Sequence, residues 1–129
     1  MTFTGPFEVG PGWMDICRAT VERLEPAGAH IVQVKEKFGG LRIYWDLDQS
    51  SGIAWSEEFY EKIEKMVREA ELVASWTCME CGKVKSDVKI RSSMTGWLVG
   101  YCQECLDEWN AELVNQGRVN RPEEESNHE

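Results

Sequence analysis

The chain has 129 residues, six of them tryptophan, and a formal net charge of −9 with a pI near 4.8. That charge works against attraction to nucleic-acid phosphate or anionic lipid and favours a basic protein partner. No apolar run approaches the roughly 18 residues that cross a bilayer, and Met1–Pro6 lacks the charged-then-apolar build of a signal peptide, so we expect no membrane contact and a cytoplasmic setting with reduced thiols.

Phe3 to Gly12 is rich in Gly and Pro and reads as irregular, with Pro11-Gly12 turning into the first periodic segment. From Trp13, apolar positions at Ile16, Cys17, Thr20, Val21 and Leu24 share one helical face, which predicts a helix over 13–25 stopped by Pro26. Cys17 lies on that inward stripe and reads as a small buried hydrophobe. A β-hairpin over 31–47 follows, because two alternating runs flank Gly39-Gly40 and a two-residue turn needs the positive φ that glycine adopts cheaply. With Phe38 opposite Leu41, the pairs Glu36–Ile43, Val34–Trp45 and Val32–Leu47 form an apolar face. Lys37–Arg42, Lys35–Tyr44 and Gln33–Asp46 form a basic one. Glu36 on the apolar face calls for a cation or N–H partner, since an unpaired buried carboxylate is costly.

Asp48–Gly52 reads as a loop, and Ser56 as the N-cap of a helix over 56–75 whose stripe runs Phe59, Ile63, Met66, Val67, Ala70, Val73 and Ala74. This stripe should cover the apolar hairpin face, giving a helix-on-sheet layer. Cys78-Met79-Glu80-Cys81-Gly82 and Cys102-Gln103-Glu104-Cys105 then stand twenty residues apart. Two thiolates three residues apart grip one ion from a tight turn, and the second pair closes the tetrahedral shell of zinc. Gly82 supports this reading, because positive φ there frees N–H groups to point at sulfur. Disulfides fit poorly with five cysteines and no secretory signal, and a redox dithiol would not be duplicated. Four thiolates fill the shell, so Cys78, Cys81, Cys102 and Cys105 are expected to hold one structural zinc with no open position for activated water.

Short strands over 87–91 and 96–101 make the hairpin of a zinc ribbon, and a last helix with Leu106, Trp109 and Leu113 reaches about Gln116 before Gly117 stops it. Only Trp76 and Thr77 separate the long helix from Cys78, so the ribbon should be docked rather than swinging on a linker. The expected class is α+β: a small antiparallel sheet covered by helices, with a docked four-cysteine zinc ribbon. Residues 1–76 form the layer, 77–117 the ribbon and last helix, and 118–129 a disordered acidic tail in which His128 has no metal role.

Gly10-Pro11-Gly12-Trp13, the run Lys35-Glu36-Lys37-Phe38-Gly39-Gly40-Leu41-Arg42, the long helix, and Gly96-Trp97-Leu98 between the two cysteine pairs resemble a group of small proteins from bacteriophages, prophages and bacterial gene cassettes. Its members often carry histidine where this chain has Cys105. The resemblance spans nearly the whole chain to the last helix and implies a phage or mobile-element setting in a bacterial host cell, without implying an activity.

Neither His30 nor His128 has a visible nucleophile or base beside it, so no enzyme is expected. Protein binding is the leading expectation, by a monomer or small homo-oligomer. Surplus tryptophans such as Trp55, Trp76 and Trp97 offer anchors and an acidic surface suits a basic partner. With the phage-type resemblance, that partner becomes a host defence or regulatory protein that the chain binds and inhibits, offering carboxylates where the partner expects DNA phosphates. The alternative is a nucleic-acid-binding ribbon using Lys35, Lys37, Arg42 and Tyr44 on the hairpin with Trp97, aided by Lys83, Lys85, Lys89 and Arg91.

Overall fold

A computed structural model describes residues 2–117; the predicted acidic tail and His128 lie outside the described residues. The class is α+β, as expected, with three α-helices and two small sheets among the described residues. The first sheet orders β1 (Phe7–Glu8), β2 (Ala29–Lys37) and β3 (Gly40–Leu47), leaving β3 at an open edge. Helix α1 (Met14–Leu24) lies over β2, and α2 (Glu57–Ser75) lies over β3 and against α1. Ser56 caps α2 by accepting the Phe59 N–H at 3.0 Å, and Glu57 and Glu58 complement the positive end of the helix dipole. Val21, Leu24, Val34, Ile43, Ile63 and Val67 are buried between the layers. Val73 departs from the predicted stripe and is exposed.

The hairpin turn is Phe38-Gly39, with φ 54° and 84°, and not Gly39-Gly40. Lys37 therefore faces Gly40, Glu36 faces Leu41, Lys35 faces Arg42, Val34 faces Ile43 and Gln33 faces Tyr44. Relative to expectation the partner strand slips by two residues, so the faces keep their composition while every pairing changes. Beyond Gln33 a bulge interrupts β2 and leaves Val32 exposed. Ile31, opposite Trp45, takes the inward place expected of Val32, and Ala29 sits opposite Leu47. Glu36 finds its partner in the turn, where its Oε2 accepts the Gly39 N–H at 2.7 Å. Both turn residues need positive φ, which phenylalanine adopts at a cost of about 1 kcal/mol or more. Phe38→Asn, at an exposed side chain, is expected to stabilise the fold by about 1 kcal/mol and raise the thermal midpoint.

Phe7–Glu8, expected as irregular chain, pairs in parallel with Val34 and Lys35. Pro11–Trp13 forms a 3₁₀ turn, so the α-helix proper begins at Met14. The second sheet joins β4 (Lys89–Ser92) to β5 (Leu98–Tyr101) in antiparallel register, and α3 (Gln103–Asn115) follows, ending before Gly117 at φ 71°. Arg91 ties this ribbon together, donating to the carbonyls of Tyr101 and Asp87 and to Gln103 Oε1.

The ribbon is clamped onto the first layer at glycines. Gly12 N–H donates to the Met79 carbonyl at 2.7 Å, and Met79 N–H donates to the Gly100 carbonyl at 2.8 Å. Trp13 is 1% exposed, and its indole N–H donates to the Thr77 carbonyl at 2.8 Å. A Cβ on Gly100 would stand 2.6 Å from the Gly39 carbonyl oxygen and 3.2 Å from the Trp13 ring, so only glycine lets the hairpin tip meet β5. No described helix is long and apolar enough to cross a membrane.

Candidate metal centre

The first cysteine pair sits in a turn closed by Cys78 N–H on the Lys83 carbonyl and Gly82 N–H on the Cys78 carbonyl, both 2.9 Å. Gly82 has φ 78°, the left-handed conformation the turn requires. The second pair opens α3: Cys102 is the N-cap residue, and Cys105 lies in the first turn. Ribbon strands and helix start thus bring together residues from both ends of the segment. The four Sγ atoms all lie within 4.8 Å of one another, with Cys81 and Cys102 at 4.0 Å. A tetrahedral ion holding thiolates at about 2.3 Å spans S–S edges of about 3.8 Å, so the cluster fits one shared ion. A disulfide needs about 2.05 Å, far inside the Cys81–Cys102 separation.

The electrostatics favour a cation in the middle. Burial, the largest influence on Cys78, opposes its ionisation, yet N–H groups of Cys81, Cys102 and Glu80 outweigh it and bring the thiol down to about 7. Burial pushes Cys81 and Cys105 up, with neighbouring thiols adding to the rise at Cys105. Four such groups cannot all become thiolates side by side unless a positive ion compensates them. Cys81 is exposed while Cys78, Cys102 and Cys105 are buried, so one side of the cluster faces solvent. Four sulfurs fill the shell of an ion held here and leave no open position, which is the donor set of a structural site.

Cys17 stays apart from this cluster, fully buried in α1, and burial pushes its thiol up to about 11. The remaining predicted residues divide between the sheets. Lys35 and Arg42 face each other across the hairpin, beside Glu8 on the neighbouring strand and Tyr44 one pair further on. Arg42 Nη1 donates to the Leu41 carbonyl at 3.0 Å, and Lys37 lies over the Phe38 ring at 5.6 Å. Trp97 lies in the ribbon turn just before β5 and is 63% exposed.

Comparison with family models, curated proteins and solved structures finds no match. The reading of the site therefore rests on its geometry. One feature escaped the sequence reading: Trp45, Trp55, Phe59 and Tyr60 form an aromatic pile, with ring centroids 5.6–6.3 Å apart. Glu64 is built into it, accepting from the Trp45 indole at 2.8 Å and from the Tyr60 hydroxyl at 3.3 Å. The i, i+4 spacing of Tyr60 and Glu64 was the only local signal, and it gave no hint of Trp45.

Proposed function

We propose that this chain is a non-enzymatic, zinc-stapled module that works by binding another protein. Zinc is the ion best matched to four thiolates in a small tetrahedral shell. The observation that supports binding is the exposure of large aromatics: Trp55 is 55%, Trp76 53% and Trp97 63% accessible, at the two ends of α2 and at the ribbon turn. Tryptophan left in water is unfavourable, and it is the side chain most enriched at the energetic centres of interfaces. The charge of −9 directs the choice towards a basic partner. Together with the phage-type resemblance, this makes a host defence or regulatory protein in the bacterial cytoplasm the proposed target, engaged by carboxylates in place of DNA phosphates.

The nucleic-acid reading has less support because much of the positive charge is already committed. Arg91 is spent inside the ribbon, Lys85 pairs with Glu104 at 3.6 Å, and Arg42 is turned to a backbone carbonyl. Tagged, zinc-loaded chain incubated with bacterial lysate is expected to retain one protein at fixed stoichiometry, and Trp97→Ala or Trp76→Ala to weaken that retention at least tenfold. Salt-sensitive retention on DNA with no protein partner would replace this reading by the nucleic-acid one.

A further inference from the structure

The edge of β3 and the side of α2 enclose a groove of about 360 Å³, lined along the strand by Arg42–Asp46 and along the helix by Tyr60, Glu64, Val67, Arg68 and Glu71. In an antiparallel ladder, alternate residues turn their N–H and C=O groups to the partner and the rest turn them away. With Lys37–Gly40 closing the two-residue turn, Leu41, Ile43 and Trp45 are the residues whose backbone groups face the open edge. Their first groups are guarded by charge: Arg42 covers the Leu41 carbonyl, and the Ile43 N–H is turned to the Glu71 carboxyl. Such side chains blunt a strand edge against indiscriminate pairing while leaving it available to a ligand that replaces them. Beyond Ile43, towards the aromatic pile, lie Trp45, Trp55 and Tyr60 with Glu64 beside them.

We propose that this edge docks an extended basic segment of a partner protein, which pairs with β3 as a fourth strand and lays Lys or Arg side chains on Trp45, Trp55 and Tyr60 beside Glu64 and Glu71. The proposal rests on the protein-binding reading and names the surface and the partner's chemistry. Strand addition supplies backbone hydrogen bonds without regard to sequence, and the groove supplies the selection. Alternate side chains of an added strand repeat about every 7 Å, and Glu64 and Glu71 lie about 10 Å apart along α2, so two successive cations can each reach a carboxylate. Aromatic faces attract those cations directly. Arg42 and Arg68 also line the groove, but Arg42 is turned to the Leu41 carbonyl, and Arg68 stands one turn from both glutamates.

The test titrates the full, metal-loaded chain, isotopically labelled, with the blocked octapeptides (Lys-Val)4 and (Glu-Val)4. The lysine peptide is expected to shift the amides of Leu41, Ile43 and Trp45 and the indoles of Trp45 and Trp55 saturably, and to slow hydrogen exchange at Ile43 and Trp45. The glutamate peptide should do neither. Trp55→Ala, at an exposed ring, and Glu64→Gln, which keeps the side chain's shape, should each weaken the lysine peptide about tenfold with the amide spectrum otherwise unchanged. Equal response to both peptides, shifts confined to the ribbon, or undiminished affinity in both variants would overturn the proposal. Broadening of the same amides with concentration alone would assign the edge to a second copy and also overturn it. A lysate partner held at full strength by Trp55→Ala, with the lysine peptide inert, sinks the groove and spares the binding reading. A bound peptide with no captured protein does the reverse.

Discussion

Cys102→Ser is expected to lose the metal and the ordered ribbon together. The ribbon's own apolar core is thin: Val99, Tyr101, Leu106 and Leu113 are buried, while every residue of β4 is exposed or half-buried. Structural zinc contributes an apparent 10–16 kcal/mol in zinc-finger peptides at about neutral pH, comparable with the roughly 5–15 kcal/mol stability of a whole domain. Native mass spectrometry of the unaltered chain should show one metal per molecule, lost in Cys102→Ser and kept in Cys17→Ser, because Cys17 lies outside the cluster. Hydrogen exchange should then report rapid exchange over residues 77–117 in the first variant alone. A Cys102→Ser protein that keeps its metal and a protected ribbon would remove the staple from the account.

The second large effect is at Trp13, where the two sheets meet. Trp13→Ala empties a site that is 1% exposed and strips the Thr77 carbonyl of its 2.8 Å donor. Large-to-small replacement of a buried aromatic costs about 3–5 kcal/mol, and an unsatisfied buried acceptor adds about 1–3 kcal/mol. Together these are about 4–8 kcal/mol, and the thermal midpoint should fall by roughly 15–30 °C for a chain of this size. Trp13→Phe restores most of the volume without the N–H and should show the smaller loss alone. Trp97→Ala, at an exposed ring, should leave the midpoint nearly unchanged. Similar midpoints for Trp13→Ala and Trp97→Ala would mean that the ribbon is not anchored through this indole.

Local patterns made much of the chain legible. The stripe from Phe59 to Ala74 and the Ser56 cap belong to one helix whatever it packs against, because helical periodicity and capping are properties of neighbouring residues. The cysteine spacing likewise announced four converging sulfurs, since two turn-borne pairs are a complete donor set for one ion once brought together. The hairpin shows where this ends. Its faces were readable from alternation, but the turn position was not, as Phe38-Gly39 and Gly39-Gly40 yield the same two faces. The chosen turn leaves Gly39 against Ile90 and Gly100, with its N–H on Glu36, and those contacts come from the other sheet and from the turn's own geometry.

The sequence by itself determined the α+β class, the helix faces and the four-sulfur donor set, all of which depend on residue type and short-range spacing. Only the tertiary structure decided that Gly12, Trp13, Gly39 and Gly100 form one joint, that Val32 bulges outward, and that Trp45 meets Glu64 beside an open strand edge. These features join residues up to 87 positions apart, as between Trp13 and Gly100, and the close approach of two backbones, as at Gly39 and Gly100, leaves no periodic trace in either segment. A glycine kept small for a distant carbonyl looks, in sequence, like any other glycine in a turn.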